Sequence, residues 1–179
     1  LEGSLAFALP DLEQARSAAC ADVAEADTSA HLEHLGDQDN SLYAADTAHS
    51  FAEALEMAER AGLVCAGDLR QHLTAFSEDL FAGYTERMGL LFRSYQQNHT
   101  LKVAAGLLAA RLVLDGVHDS EHPHNAWAVH HMTRIHHALT TLDGGYGEGP
   151  SYWAYQAINT VPVLFALGLS DPQCTLVDG

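Results

Sequence analysis

The sequence predicts an all-α fold built from antiparallel helical hairpins, and three observations carry that prediction. Apolar residues recur at three- and four-residue intervals along most of the chain. No stretch alternates apolar and polar residues with the period of two that a half-buried strand needs. One nearly all-apolar stretch lies between amphipathic ones, so an inner helix is expected with outer helices around it. At 179 residues, 47% of them apolar and 18% charged, the chain is long enough to bury a core and has globular rather than disordered composition. A single helical domain over residues 1–179 is expected.

The elements follow in order. After Pro10, Leu12, Ala15, Ala19 and Val23 mark a first helix, and "DTSAHLEHLGDQDNS" is a polar connector. The run from Tyr43 to Val64 places Ala48, Phe51, Leu55 and Ala58 on one stripe and stops at Gly62, a residue suited to a left-handed C-terminal cap. From Asp68, the positions Leu69, Leu73, Phe76, Leu80 and Tyr84 predict a third helix continuing past Gly83 toward Phe92. The fourth begins near Thr100, where Leu101, Val103, Ala104, Leu107, Leu108, Leu112 and Val113 cover most of the circumference. "GVHDSEHPHN" interrupts the pattern. Trp127, His131, Ile135, Ala138 and Leu142 then define a fifth helix, which the glycine-rich turn "DGGYGEGP" ends. A sixth opens with Ser151 as N-cap, carries Tyr152, Tyr155, Ile158 and Leu164, and contains Pro162, a kink site. Alternating outer and inner helices of this kind suit stacked or toroidal helix-pair folds.

Charge narrows the partners. Eight Lys and Arg against 24 Asp and Glu leave a net −16, a field that repels nucleic acid and anionic lipid. No apolar run reaches the roughly 18 residues of a membrane span. Cys20, Cys65 and Cys174 are odd in number and widely spaced, so neither a disulfide framework nor a zinc knuckle is expected. The opening "LEGS" reads as a cloning scar.

Three features carry potential chemistry. The first is Asn98 with His99, ahead of the apolar helix in "QNHTLKVAAGLLAARLVLDG". An Asn there caps a helix, and the same amide and imidazole at the positive helix end suit a carboxylate or a developing oxyanion. The second is "DGGYGEGPSYWAY", in which the glycines let backbone pass close to a ligand while Tyr152, Trp153 and Tyr155 offer flat faces for sugar rings and phenols for proton transfer. Packing in the core is the plainer reading of Trp153 and Tyr155. The third is the set of histidines His118, His122, His124, His130, His131, His136 and His137. It contains an i, i+4 pair but no HExxH pattern, so exposed or core roles are expected ahead of a metal site.

Taken in order, "NHTLKVAAGLLAARLVL", a Trp-bearing helix and "DGGYGEGPSYWAY" resemble the helical toroid domain of the heparinase II/III-like polysaccharide lyases, which include alginate and oligoalginate lyases. The resemblance covers roughly residues 40–170 and implies part of an (α/α) toroid. It implies that Asn98 with His99 neutralises a uronate carboxylate and that Tyr152, or Tyr155 in another register, acts on the sugar ring. The implied reaction is β-elimination: a base removes the C5 proton beside the carboxylate, and the glycosidic oxygen leaves from C4. Lys102 would place positive charge beside the substrate or lower the tyrosine pKa, Arg93 would join it, Glu148 would orient a sugar hydroxyl or hold the glycine turn, and Trp153 and Tyr155 would line the sugar. No metal or cofactor is implied.

The family continues into a large β-sandwich that supplies a further catalytic histidine, whereas no strand-rich region follows here up to Gly179. The expectation is therefore a fragment of a longer lyase, or one completed by a partner chain, with a periplasmic or secreted location by resemblance. Because −16 repels a polyanion over a Debye length of about 8 Å, Arg87, Arg93, Lys102 and Arg134 would need to converge on one cleft. A non-catalytic helical carbohydrate-binding or interaction module is the alternative, and a histidine-rich metal-binding protein the third.

Overall fold

The computed structural model describes Cys20, residues 38–87, 98–116, 119, 121–139, 147 and 149–170. Among the described residues the regular structure is helical: α1 (Gln38–Ala61), α2 (Ala66–Ala82), a π-helical turn (Gly83–Arg87), α3 (Asn98–Asp115), α4 (Pro123–Leu139) and α5 (Pro150–Ser170). The helix expected over residues 12–23 lies outside them apart from Cys20.

Helix α3 is the inner helix that its composition demands. Residues 101–108 are all buried, and α3 side chains enter each of three apolar clusters, one with α1 and α2 around Phe76 and Leu80, one with α4 and α5 around Ile135 and Leu167, and one with α1 and α2 around Leu55 and Leu73. Burying leucines such as Leu101, Leu107 and Leu108 contributes about 1.5–3 kcal/mol each relative to exposure. Register is set by pairwise contacts. Asp46 meets Lys102 in the N-terminal halves of α1 and α3, and Leu55 and Ala58 share a cluster with Ala110 nearer their C-terminal ends. Helices α1 and α3 therefore run parallel, and each is followed by its neighbour after a short connection. The seam is close: a Cβ on Gly106 would lie 2.7 Å from the carbonyl oxygen of Ala45. Glycine at 106 and the alanines Ala44, Ala45, Ala48 and Ala52 on α1 let the two backbones approach so far.

Helix ends differ from expectation in instructive ways. Helix α1 ends at a left-handed Gly62 (φ 64) with Leu63 N–H donating to the Ala58 carbonyl, the cap predicted there. Its start reaches back to Gln38, into the stretch read as connector. Helix α2 does not continue regularly past Gly83 but widens into the π turn, and residues 88–97 lie outside the described set. Helix α4 starts at Pro123, inside the predicted interruption. Proline suits a first helical position, where its missing N–H is no loss, and the His122 ring accepts the His124 N–H at 3.2 Å. Helix α5 opens one residue before the expected Ser151 cap. Gly149, at φ 95, accepts the Trp153 N–H at 3.0 Å, a backbone shape that favours glycine, and Pro150 takes the first helical place. Pro162 lies within α5, which continues through it to Ser170.

Two buried faces also differ from those the periodicity predicts. The buried stripe of α4 is Ala128, Met132, Ile135 and Leu139, with Ala138 exposed. Helix α5 buries Thr160, Val163 and Leu167, while Tyr152 and Ile158 from the predicted stripe face outward with Val161 and Phe165. A helix apolar on nearly every side has no contrast from which periodicity can pick the inner face. The cysteine reading also fails: Cys20 and Cys65 form a disulfide with Cα atoms 5.4 Å apart, closing a separation of 45 residues onto the α1–α2 turn. An odd cysteine count does not forbid a single bridge.

Candidate functional site

Three helices meet at the only lysine in the chain. Lys102 lies on the second turn of α3 between buried Leu101 and Val103, and only 8% of its side chain is exposed. An ammonium in such a place needs a counter-charge, since unpaired burial of a cation costs several kcal/mol. Asp46 of α1 supplies it, accepting from Nζ at 2.6 Å. From the other flank the ring of Tyr155 on α5 lies with its centroid 5.1 Å from Nζ, in cation–π range. Burial pushes the ammonium down, but the hydrogen bond and charge of Asp46, with Tyr155 beside it, outweigh it, leaving Lys102 above its ordinary 10.5. Lys102 is therefore a fixed cation at neutral pH.

The pair is asymmetric: the Asp46 side chain is 53% exposed against 8% for Lys102. The cation is held in the wall of the helix packing, whereas the anion stands at its mouth in water.

The other expected residues gather round this point to differing degrees. His99 precedes Lys102 by three residues on the same face of α3 and is half-buried. Asn98 is the first residue of α3, and its side chain lies outside the described set. Tyr152, three residues before Tyr155 on α5, is 50% exposed, and Trp153 is 55% exposed, so neither is a core aromatic. Tyr155 is half-buried against Lys102. Arg93, Glu148 and the Arg87 side chain lie outside the described residues, and Arg134, exposed on α4, is not among the groups acting on Lys102. Of the expected site residues, the structure thus brings Lys102 and Tyr155 into contact. Lys102 does not present an unclaimed charge to a substrate; Asp46 already neutralises it. Asp46 is the residue that sequence reasoning missed. A lone lysine on an apolar inner helix calls for a carboxylate, but nothing in the pattern picks one out of 24 acidic residues.

A second cluster occupies the α2–α4 interface. His124, nearly fully buried, stacks on Phe81 (ring centroids 4.2 Å) and pairs through Nε2 with Glu78 at 3.2 Å. His131 stacks on Trp127 (4.3 Å), which lies edge-on to Phe81 and Tyr84. Burial holds both imidazoles below their ordinary 6.5, despite Glu78 beside His124 and the Trp127 carbonyl beside His131. These two rings act as flat packing surfaces, as the plainer reading of the histidines expected. Among the described residues no group of three or more His, Cys, Asp or Glu could hold a metal ion, and no helix is long and apolar enough to cross a membrane.

No protein-family model matches the chain, and neither does any curated protein or solved structure, so the geometry around Lys102 carries the functional argument.

Proposed function

We propose that the face formed by His99, Lys102, Tyr152 and Tyr155 binds a uronate residue of an acidic polysaccharide, and that the chain is the helical, toroid-type part of a lyase that cleaves such polymers by β-elimination. The observation that carries this reading is the buried Lys102 ammonium in contact with a tyrosine, at the level of the α3 N-terminus. Parallel α1 and α3 with intervening return helices support a toroidal arrangement.

In the proposed reaction Lys102, with the positive end of α3, stabilises the charge that spreads onto the uronate carboxylate as the C5 proton leaves. The C5–H electron pair forms the C4=C5 double bond, and the C4–O bond breaks toward the leaving sugar. A phenol serves at the proton steps, as base at C5 or as acid at the departing oxygen. Tyr155 takes this role through its contact with Lys102, and Tyr152 lies one turn before it on the same face. Asn98 and His99 add hydrogen bonds to the carboxylate. Once the uronate carboxylate takes the place of Asp46 beside Lys102, the ammonium offsets at short range part of the repulsion that −16 imposes on a polyanion.

The test is a panel of uronate polymers followed by the ultraviolet absorbance of the conjugated, unsaturated uronate product. A rise with the wild-type chain that Tyr155→Phe and Lys102→Met each abolish is expected. A second reading, a carbohydrate-binding module without turnover, is favoured by the exposure of Tyr152 and Trp153, which leaves flat faces open for sugar stacking. It predicts polymer binding with no absorbance change.

A further inference from the structure

We infer that Lys102 and Tyr155 form an exchangeable carboxylate site in which Asp46 is a resident stand-in for the carboxylate of an acidic ligand. The inference deepens the uronate-binding reading and rests on it for the identity of the ligand, but its geometry is independent of any catalytic step.

Stability does not explain a lysine at position 102. A leucine at 102 would suit an inner helix whose neighbours from 101 to 108 are all buried. A buried ion pair is weak evidence for stability, because desolvation offsets most of the attraction between its partners. The two partners are also held very differently. Lys102 is enclosed by α1, α3 and α5, with Tyr155 against its amine. Asp46 is half in water, and its rotation outward costs little of its own solvation. Withdrawal of Asp46 leaves a preformed niche: an ammonium with three donors, a phenol beside it, and an opening where the Asp46 carboxylate had been. A carboxylate is the ligand chemistry that fits, because Asp46 already demonstrates that one seats there at 2.6 Å. Two exposed aromatics lie one turn before the residues of the site: Tyr43 before Asp46 on α1 and Tyr152 before Tyr155 on α5. They suit a carboxylate carried on a sugar ring better than a bare anion.

Occupation by Asp46 makes the site self-screened. The apparent affinity for a ligand falls by the fraction of molecules in which the acid is withdrawn, so each tenfold fall in that fraction weakens binding tenfold. Removing Asp46 should therefore tighten ligand binding, the reverse of what loss of a structural or substrate-holding acid does.

The single lysine makes the test direct. The full chain labelled with carbon-13 at lysine Cε carries one lysine signal. That signal is followed in wild type and Asp46→Asn during titration with sodium acetate, sodium glucuronate and glucose. Expected is movement with acetate and glucuronate, none with glucose, and midpoints lower by about tenfold or more in Asp46→Asn. Equal or weaker binding by Asp46→Asn overturns the stand-in role while leaving uronate binding intact. Movement with acetate but not glucuronate supports exchange and removes the uronate reading. A signal unmoved by either carboxylate in both proteins overturns the site. Because Asp46→Asn leaves a buried ammonium unpaired, its helical circular dichroism is checked first. If it does not fold, the wild-type titration decides alone: a lysine signal that acetate does not move overturns the inference.

Discussion

Replacing Gly106 by alanine tests the packing on which the whole site depends, because the α1–α3 seam sets the distance between Asp46 and Lys102. In an ordinary helix this change stabilises, by about 1 kcal/mol, since alanine has less unfolded freedom to lose. Here the added Cβ would lie 2.7 Å from the Ala45 carbonyl oxygen, 3.2 Å from its Cα and 3.3 Å from its carbonyl carbon. These are backbone atoms with no rotamer to adopt, so the helices must separate by a few tenths of an ångström. Ala44, Ala48 and Val103 then lose contact together. Overpacking of this kind costs about 1–3 kcal/mol, which after a propensity gain of about 1 kcal/mol leaves a net loss of up to about 2 kcal/mol. For a chain of this size that is a fall in Tm of up to about 8 °C. Gly67→Ala is the matched control: Gly67 is the second residue of α2 and an added Cβ meets nothing within 4 Å. Urea unfolding followed by circular dichroism should separate the two, with Gly106→Ala less stable than wild type and Gly67→Ala equal or better. A Gly106→Ala protein as stable as Gly67→Ala would refute the close approach of α1 to α3.

The remaining predictions concern the ionisable groups, the disulfide and the tyrosines. His124 and His131 are held below 6.5, so the unfolded chain takes up protons first on acidification; stability from these sites is full above about 6.5 and is lost as pH falls toward their folded values. Around His124 the charged neighbours are Glu78 on α2, Arg111 on α3 and His122 at the helix start, and His130 lies beside His131. Urea midpoints should thus fall from about pH 7.5 to about pH 5.5, and the fall should shrink in His131→Phe, which keeps the stacking on Trp127. Lys102 titrates the other way: its raised value means that the Asp46 pair contributes below 10.5 and weakens only as pH rises beyond it, so Lys102→Met should flatten the alkaline limb of the same profile. Cys65→Ser should lower stability by about 2–4 kcal/mol, the range expected for opening a closed segment of 45 residues, and a thiol reductant should reproduce the effect in wild type but not in the variant. Tyr155→Ala should weaken glucuronate binding several-fold more than Tyr152→Ala, because the Tyr155 ring is the one that lies against Lys102; equal effects in a calorimetric titration would count against that assignment.

How much of this was legible in the sequence follows from where contrast exists. Helices α1 and α2 alternate apolar and polar residues, and their buried positions Leu55, Leu69, Leu73, Phe76 and Leu80 are those the spacing picked out. The inner position of α3 was legible for the opposite reason, a lack of any polar face. In α5 that same lack hid the direction of burial, since Ile158 and Val163 look alike in sequence but face opposite ways. Proline and glycine told where α4 and α5 begin only after the backbone around Pro123 and Gly149 was known, because either residue fits a loop or a first turn. At the candidate site, proximity within one helix was readable: Lys102 follows His99 by a turn, and Tyr155 follows Tyr152. The contact of Lys102 with Asp46, across 56 residues of chain, was not, and neither was the Cys20–Cys65 bridge. Both are pairings between distant segments, and single-sequence periodicity contains no information about them.

Helix α5 has a colloidal consequence. None of its 21 residues is charged, and Ile158, Val161 and Phe165 stand exposed on it, in a chain that elsewhere carries 24 acidic groups. The molecule is thus a charged particle with a neutral, greasy window. In dilute salt, mutual repulsion reaches about 10 Å or more and keeps such windows apart; at molar salt it reaches only about 3 Å, while apolar attraction is unscreened. Salt, which leaves the covered apolar interior untouched, therefore decides how often two such windows meet, and the solution stays clear or clouds accordingly.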